Sequence, residues 1–344
     1  MVESYLTSLL SKTSCQELLQ TSLTSTGHAA PKQPICLDSN LSVQEGCQAL
    51  AQHRISSAPV YDASEGGFVG MLDFKDLVTY VLEVFHKVPK EKTSFDSELE
   101  VSDIVKKALQ NNHGVHVKMI TNLSKENPLV AVQTTSPLTD AINEFKRTKI
   151  HRLVVVEPTS EGSNRFIGVL SQSTIAAFIA SKFGKMVQDK PPNGWPTGEK
   201  SVEELGLVTG GVISITQHET VLDALYVMHT NKVSSVAIID RAQGYDQLLG
   251  NISMSDMKEI FGSRGGYKHL FTNSFKFFVN LRSNQGLEAG GNDRAPSFTI
   301  HPTTSLVSAI ERMAATRSHR VWVVEGNDKL VGVLGLSDFV QFFE

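Results

Sequence analysis

Two histidine-arginine pairs, His151-Arg152 and His319-Arg320, each stand directly before a β-branched run, Leu153-Val154-Val155-Val156 and Val321-Trp322-Val323-Val324. Arginine offers a planar donor fork that suits phosphate, and histidine adds a donor with partial charge near neutral pH. Downstream of each run lies a short polar cluster, Ser171-Gln172-Ser173-Thr174 and Gly335-Leu336-Ser337-Asp338, and two further clusters share the outline, Asp73-Phe74-Lys75-Asp76 and Ser253-Met254-Ser255-Asp256. An Asp at the head of a helix, as Asp76, Asp256 and Asp338 are predicted to be, is a favourable cap worth about 1 kcal/mol without any ligand. The same carboxylate can accept two hydrogen bonds from a vicinal diol, and charge-assisted acceptors are strong ones. A single pair could equally serve a neighbouring carboxylate. Two pairs at the same phase of a repeat favour an anionic ligand, with helix-start N–H groups as further donors.

The elements that must position these groups recur four times. The strands align as Ser56-Ser57-Ala58-Pro59-Val60-Tyr61-Asp62, His151 to Glu157, Ser234-Ser235-Val236-Ala237-Ile238-Ile239-Asp240, and His319 to Glu325. Each leads through a polar turn to a second strand ending at Gly70-Met71-Leu72, Gly168-Val169-Leu170, Gly250-Asn251-Ile252 or Gly332-Val333-Leu334. Upstream, a short strand precedes a helix: Ile35 to Leu37 before Val43 to Gln52, Val130 to Val132 before Leu138 to Lys146, Ile213 to Ile215 before Val221 to Met228, and Phe298 to Ile300 before Leu306 to Met313. Leu138, Ala141, Ile142 and Phe145 show the helical period. The unit is therefore strand, helix, strand, strand, helix.

Boundaries follow from these signals: an N-terminal appendage at 1–34 with a short amphipathic helix, repeats at 35–87, 128–184, 211–262 and 297–344, and linkers or insertions at 88–127, 185–210 and 263–296. Pro191-Pro192-Asn193-Gly194 divides the chain into two pairs of repeats. Repeats this short must pair to bury sufficient apolar surface. The net charge of −4 gives no field for nucleic acid or an anionic membrane, so any anion site must be built from a few placed cations. No apolar run approaches bilayer length and the start lacks a signal-peptide pattern, which predicts an intracellular protein, cytoplasmic or also nuclear. Cys15, Cys36 and Cys47 have neither disulfide nor metal spacing and are read as buried or incidental thiols.

The pieces Ser57-Ala58-Pro59 with Phe68-Val69-Gly70-Met71-Leu72, Lys149-Ile150-His151-Arg152-Leu153, and His319-Arg320 with Leu336-Ser337-Asp338-Phe339 resemble the tandem cystathionine-beta-synthase (CBS) domain family. They closely resemble the four-repeat gamma regulatory subunits of AMP-activated and sucrose-non-fermenting-type protein kinases, over about residues 30–344. The resemblance implies an α/β (α+β) repeat fold in which four CBS repeats form two Bateman modules arranged as a disc, with adenosine-nucleotide clefts facing a central channel. It implies no catalysis and no cofactor, with AMP, ADP or ATP as ligands and kinase catalytic and scaffold subunits as partners. A related fungal group that acts on phosphatases supplies the alternative, a scaffold or phosphatase-inhibiting regulator. Carried over residue by residue, the resemblance assigns nucleotide binding to His151, Arg152, His319, Arg320, Ser253, Asp256, Ser337, Asp338, Asp76, Ser234 and Ser235.

Departures from the family pattern fall on named positions. Thr174 stands where the acid is expected, and Ser173 where the family has a lysine. Asp73 replaces a hydroxyl residue and would repel a phosphate, Gly335 replaces another, and Ser56-Ser57 and Ser234-Ser235 replace the cationic pairs. The best pockets are therefore expected at Asp256 and Asp338. His53-Arg54 lies out of phase and reads as peripheral, and Trp322, Phe339, Phe342 and Phe343 read as core, with partner contact open to the final Phe pair. Gly194 to Ser201 only superficially resembles a phosphate loop, and no hydrolase, metalloprotease or kinase signature occurs. Lys268 to Phe278 reads as a packed amphipathic helix or a partner-docking insertion.

Overall fold

The computed structural model describes residues 5–25, 34–53, 55–86, 115–160, 164–189, 195–208, 210–262, 266–288 and 297–343. Arg54, the linker at 88–100, Pro191-Pro192-Asn193-Gly194 and the glycine-rich stretch 289–296 lie outside the described residues. Along the chain come helices α1 (Tyr5–Lys12) and α2 (Cys15–Ser25), then β1 (Leu37–Asp38), α3 (Val43–Gln52), β2 (Ser57–Asp62), β3 (Gly67–Asp73), α4 (Phe74–His86) and α5 (Val117–Ile120). The second repeat is β4 (Ala131–Gln133), α6 (Leu138–Thr148), β5 (Arg152–Pro158), β6 (Asn164–Ser171) and α7 (Gln172–Asp189), followed by α8 (Pro196–Glu199). The third is β7 (Ser214–Thr216), α9 (Val221–Thr230), β8 (Ser235–Asp240), β9 (Gln247–Ser253), a 3-10 turn Met254–Asp256 and α10 (Met257–Gly262). A 3-10 segment Gly266–Phe271 and α11 (Ser274–Glu288) precede the fourth, β10 (Thr299–Ile300), α12 (Leu306–Thr316), β11 (Arg320–Glu325), β12 (Lys329–Gly335) and α13 (Leu336–Val340).

Local chemistry starts the helices where the sequence places them. Ser42 accepts the Glu45 N–H at 3.3 Å while the Glu45 carboxylate accepts the Ser42 N–H at 2.8 Å, and Thr220 with Asp223 repeats this reciprocal cap. The same device at Ser14 and Glu17 breaks the N-terminal apolar stretch into two helices where periodicity predicts one. Nor is this stretch an appendage. Leu6, Leu10, Cys15 and Leu18 are buried in a core with Leu138, Ile142 and Phe145 of α6.

In each repeat the first strand runs parallel to the second, and the second antiparallel to the third. All four antiparallel pairs shift register one residue after the same position, where Val60, Val155, Ile238 and Val323 face Gly70, Gly168, Gly250 and Gly332. A bulge of this kind bends the strand at a point where another group must approach. A β-carbon on Gly70 would lie 2.6 Å from the Thr121 methyl, and one on Gly250 would lie 2.5 Å from the Phe278 ring. Leu19 and Val208 lie less closely over Gly168 and Gly332, at 3.3 and 3.4 Å from the equivalent point, the second an ordinary van der Waals distance. The glycines are thus the seats on which a covering segment rests.

The described residues form two compact units. One contains residues 129–211 and 298–344 with the N-terminal helices, hence repeats 2 and 4; the other contains 36–128 and 212–297, hence repeats 1 and 3. Each unit therefore takes one repeat from either side of the 185–200 linker. In the first, α12 packs on α7, and α13 on α6 and α7, around Phe145, Ile179, Ile310 and Phe339. In the second, α10 packs on α3 and α9 on α4, around Leu50, Leu77, Leu225 and Ile260. Phe183 stacks on Trp195, which meets Phe343, so Phe343 is core and so are Trp322 and Phe339. The Lys268–Phe278 stretch is a packed element, since Leu270, Phe277 and Phe278 are buried. Burial pushes the Cys15 thiol up to about 11 and the Cys47 thiol to about 12, consistent with structural thiols, while Cys36 is exposed.

Gly250→Ala is expected to destabilise the fold by about 1–3 kcal/mol, because the new methyl must displace the Phe278 ring from a closely packed seat. Paired with Phe278→Leu, the Gly250→Ala change should cost markedly less. Denaturant midpoints of the two singles and the double give that coupling directly.

Candidate functional site

The polar clusters all sit where the third strand of a repeat turns into its second helix, and the final residue of each closes that turn. Asp76 accepts the Asp73 N–H at 3.0 Å, Asp256 the Ser253 N–H at 2.8 Å, and Asp338 the Gly335 N–H at 2.7 Å. In repeat 2, where Thr174 replaces the acid, Ser171 Oγ instead accepts the Thr174 N–H at 3.1 Å and lies 2.8 Å from its hydroxyl. Every cluster is therefore a helix cap first. What separates the four is the second carboxylate oxygen and the residue across the strand pair. That residue is Ser57 opposite Asp73, Arg152 opposite Ser171, Ser235 opposite Ser253, and Arg320 opposite Gly335. Directly opposed residues share a sheet face with neighbouring side chains, so each pair's second residue sits beside its cap.

In the unit of repeats 2 and 4 these groups meet across the repeats. Ser337 donates to Gln172 Oε1 at 3.2 Å and lies 3.5 Å from His151 Nδ1, which is itself 3.3 Å from Gln172 Oε1. Gln172 is buried, and its Nε2 donates to the Ile150 carbonyl at 3.0 Å. This fixes which end of the amide faces the imidazole, so the network assigns the proton of neutral His151 to Nδ1. Gln172 escaped the sequence reading, although a signal exists: the other repeats have Phe74, Met254 and Leu336 at its position. Burial pushes the Asp338 carboxyl above its ordinary range, opposed by the Gly335 N–H and the positive charge of Arg320. His319 is exposed and Arg320 half-buried at the same turn, while His151 and Arg152 are half-buried at the start of β5.

Repeat 1 is closed by its own chain. Asp76 is fully buried; its Oδ1 accepts the Ser124 N–H at 2.9 Å and the Ser124 hydroxyl at 2.7 Å, while Oδ2 holds the Asp73 N–H. Asn127 bonds the Asp73 carboxylate, and Glu126 pairs with Lys75. The segment after α5 thus engages all three polar side chains of the cluster. Asp76 was expected to take a ribose, and its acceptors are instead spent on Ser124 and the turn. In repeat 3, Asp256 is buried, the Ser253 hydroxyl donates to its Oδ2 at 2.8 Å, and Arg282 of α11 lies 3.5 Å from Oδ1. Ser235 is buried with an unpartnered hydroxyl, and Ser234 lies just before β8. Among the described residues no cluster of His, Cys, Asp and Glu could hold a metal ion.

Two outcomes follow. Ser124→Ala should cost about 1–3 kcal/mol, because it strips a buried carboxylate of a donor, and should leave nucleotide affinity unchanged. Asp338→Asn should leave the melting temperature at pH 7 unchanged or higher, since the folded carboxyl binds its proton more tightly than the unfolded one. Stability from such a group is present below the unfolded pKa and is lost as pH rises through the folded value, so the difference between variant and parent should shrink toward acid.

Comparison with known proteins agrees with the repeat structure. The CBS domain family model matches residues 30–83, 119–181, 202–263 and 294–344. The chain is 30% identical over 309 residues to Protein SDS23 of Eremothecium gossypii, covering 85% of this chain and 57% of that protein. It is 30% identical over 307 residues to Protein SDS23 of Saccharomyces cerevisiae, covering 86% and 54%. It thus spans little more than half the length of these relatives. Among solved structures, Protein MJ1225 of Methanocaldococcus jannaschii, a proposed archaeal homologue of g-AMPK, superposes with a TM-score of 0.61 at 14% identity, covering 92% of this chain and 98% of that one. With four matched repeats, each built on the same bulged strand pair and capped helix, the chain belongs to the CBS domain family.

Proposed function

We propose that this chain is a non-catalytic regulatory protein that binds an adenosine nucleotide in the unit formed by repeats 2 and 4 and modulates a protein kinase complex. One observation carries the reading: Asp338, capped at a helix start with a raised pKa, sits beside Arg320, and His151 from the other repeat reaches the neighbouring Ser337. Asp338 spends Oδ2 on the Gly335 N–H, and a carboxylate is a strong charge-assisted acceptor for a diol. Arg320, with His319, His151 and Arg152 on the strand starts of the same unit, supplies donors suited to phosphate. Binding in a cleft shared by two repeats changes how they pack, and a ligand shifts a conformational equilibrium only by its differential affinity for the two states. Partner subunits would read that shift.

A second reading, a CBS scaffold that restrains a phosphatase, is favoured by the occupied acid of repeat 1 and by Thr174 in repeat 2. Among the described residues no helix is long and apolar enough to cross a membrane, which accords with either reading.

Calorimetric titration with AMP, ADP and ATP tests this. Saturable binding of at least one nucleotide is expected, weakened about tenfold or more by Arg152→Ala with Arg320→Ala, the scale of a lost charge-assisted hydrogen bond. Absence of heat with all three, together with partner capture unaffected by nucleotide, would establish the scaffold instead.

A further inference from the structure

We propose that Gln172 is a positioning residue that makes anion binding in the unit of repeats 2 and 4 proton-linked. It holds His151 in the tautomer whose Nε2 donates only after the ring has taken up a second proton. Gln172 is 4% exposed, and a buried amide is costly unless both its ends are bonded. Its Nε2 donates to the Ile150 carbonyl at 3.0 Å, and its backbone N–H donates to the His151 carbonyl at 3.2 Å, so the side chain is anchored to the segment that bears the imidazole. Its Oε1 then faces His151 Nδ1 at 3.3 Å and takes the Ser337 hydroxyl at 3.2 Å. With its hydrogen turned to Gln172, the Ser337 oxygen stands 3.5 Å from Nδ1 as a second, longer acceptor. Both neighbours of Nδ1 therefore favour a proton there. The other repeats place Phe74, Met254 and Leu336 at this position, and Leu336 cannot accept a hydrogen bond from His319.

A neutral imidazole carries one N–H. With that proton on Nδ1, Nε2 on the opposite edge of the ring presents a lone pair, which repels a phosphate oxygen. A second proton, taken from solvent, turns Nε2 into a donor and gives the ring a positive charge, and an ordinary histidine makes this change near pH 6.5. The charged and titratable groups on the surrounding elements are Lys149 at the close of α6, Arg152 next to His151 in β5, His319 and Arg320 at the start of β11, and Asp338 beside Ser337 on α13. The first turn of α7, Gln172-Ser173-Thr174, adds no charge. Most of these groups are cationic, so a phosphate arriving among them brings the negative charge that holds an imidazolium in place. Ligand and proton thus bind together, and no covalent step is involved. The inference rests on the adenosine-nucleotide reading above and adds to it a sign: binding tightens as pH falls through the histidine range.

AMP is titrated calorimetrically into the full chain, His151→Gln and Gln172→Met from about pH 6.5 to 8.5, in two buffers of different ionisation enthalpy so that protons taken up are counted. His151→Gln keeps a donor that cannot titrate, and its profile contains the ionisation of AMP itself as a common background. Relative to that variant, the parent should take up more protons and lose affinity by up to about tenfold per pH unit, the limit for one linked proton. Gln172→Met frees the Ser337 hydroxyl to donate to Nδ1 and so moves the neutral ring's proton to Nε2. Its profile should flatten, and at the alkaline end it should bind AMP more tightly than the parent. Coincident profiles for parent and His151→Gln, or a parent affinity that rises with pH against that background, overturn the proposal and leave the proposed function standing. Gln172→Met weakened by the same factor at every pH has lost only structure, which overturns it too. A full chain that binds no AMP at any pH removes both readings. Long-range nitrogen–proton correlation spectra of the ligand-free chain at the alkaline end, with His151 assigned by comparison with His151→Gln, read the tautomer without altering Gln172. A proton on Nδ1 is expected and a proton on Nε2 overturns the proposal, and this measurement decides if Gln172→Met does not fold.

Discussion

The absence of a β-carbon at one position of the third strand is the constraint on which the remaining structure rests. Gly70, Gly168, Gly250 and Gly332 each face the bulge of the neighbouring strand, and each receives a side chain from a segment outside the strand pair. Thr121, Leu19, Phe278 and Val208 come from four unrelated parts of the chain. At Gly70 and Gly250, where a β-carbon would come within 2.6 and 2.5 Å of the covering side chain, close packing leaves no slack. Since the third strand runs from this glycine straight into the capped turn, the same contact fixes what stands near the cap. The segment bearing Thr121 continues into Ser124, Glu126 and Asn127, and the helix bearing Phe278 continues into Arg282.

One fold therefore yields four chemically distinct turns. In repeat 1 the covering segment supplies donors that satisfy the acid, and the site becomes part of the core. In repeat 3 it supplies a cation that faces the acid without bonding it tightly. In repeat 4 Arg320 comes from the strand itself and its charge lowers the acid's pKa, opposing the burial that raises it, as burial also raises Asp76 in repeat 1. In repeat 2 the acid is absent, and Gln172 links the strand's histidine to repeat 4. Divergence among the repeats acts on the groups surrounding an unchanged backbone device, so the same turn is sealed in one repeat and faces a cation in another.

Much of the fold was legible because it is written in local chemistry. The β-branched runs, the Ser42–Glu45 and Thr220–Asp223 caps and the apolar period of α6 each need only a few neighbouring residues to form. The placement of Asp76, Asp256 and Asp338 at helix starts was legible for the same reason. Less legible were the N-terminal helices. A capping box at Ser14 and Glu17 splits them, and Leu6, Leu10, Cys15 and Leu18 join a core whose residues outside these helices lie more than a hundred positions away.

The sequence by itself determined the repeat, its strand and helix order, and the residue types at each turn, since these depend on period, propensity and capping within one short segment. Only the tertiary structure decided which turn is sealed, which faces a cation and which joins a neighbouring repeat. Ser124 reaches Asp76, Arg282 faces Asp256, and Ser337 meets His151 and Gln172 through contacts between residues distant in sequence. A carboxylate's role is set by the donors and charges within about 4–6 Å of it, and no pattern along the chain specifies that shell until the core has packed.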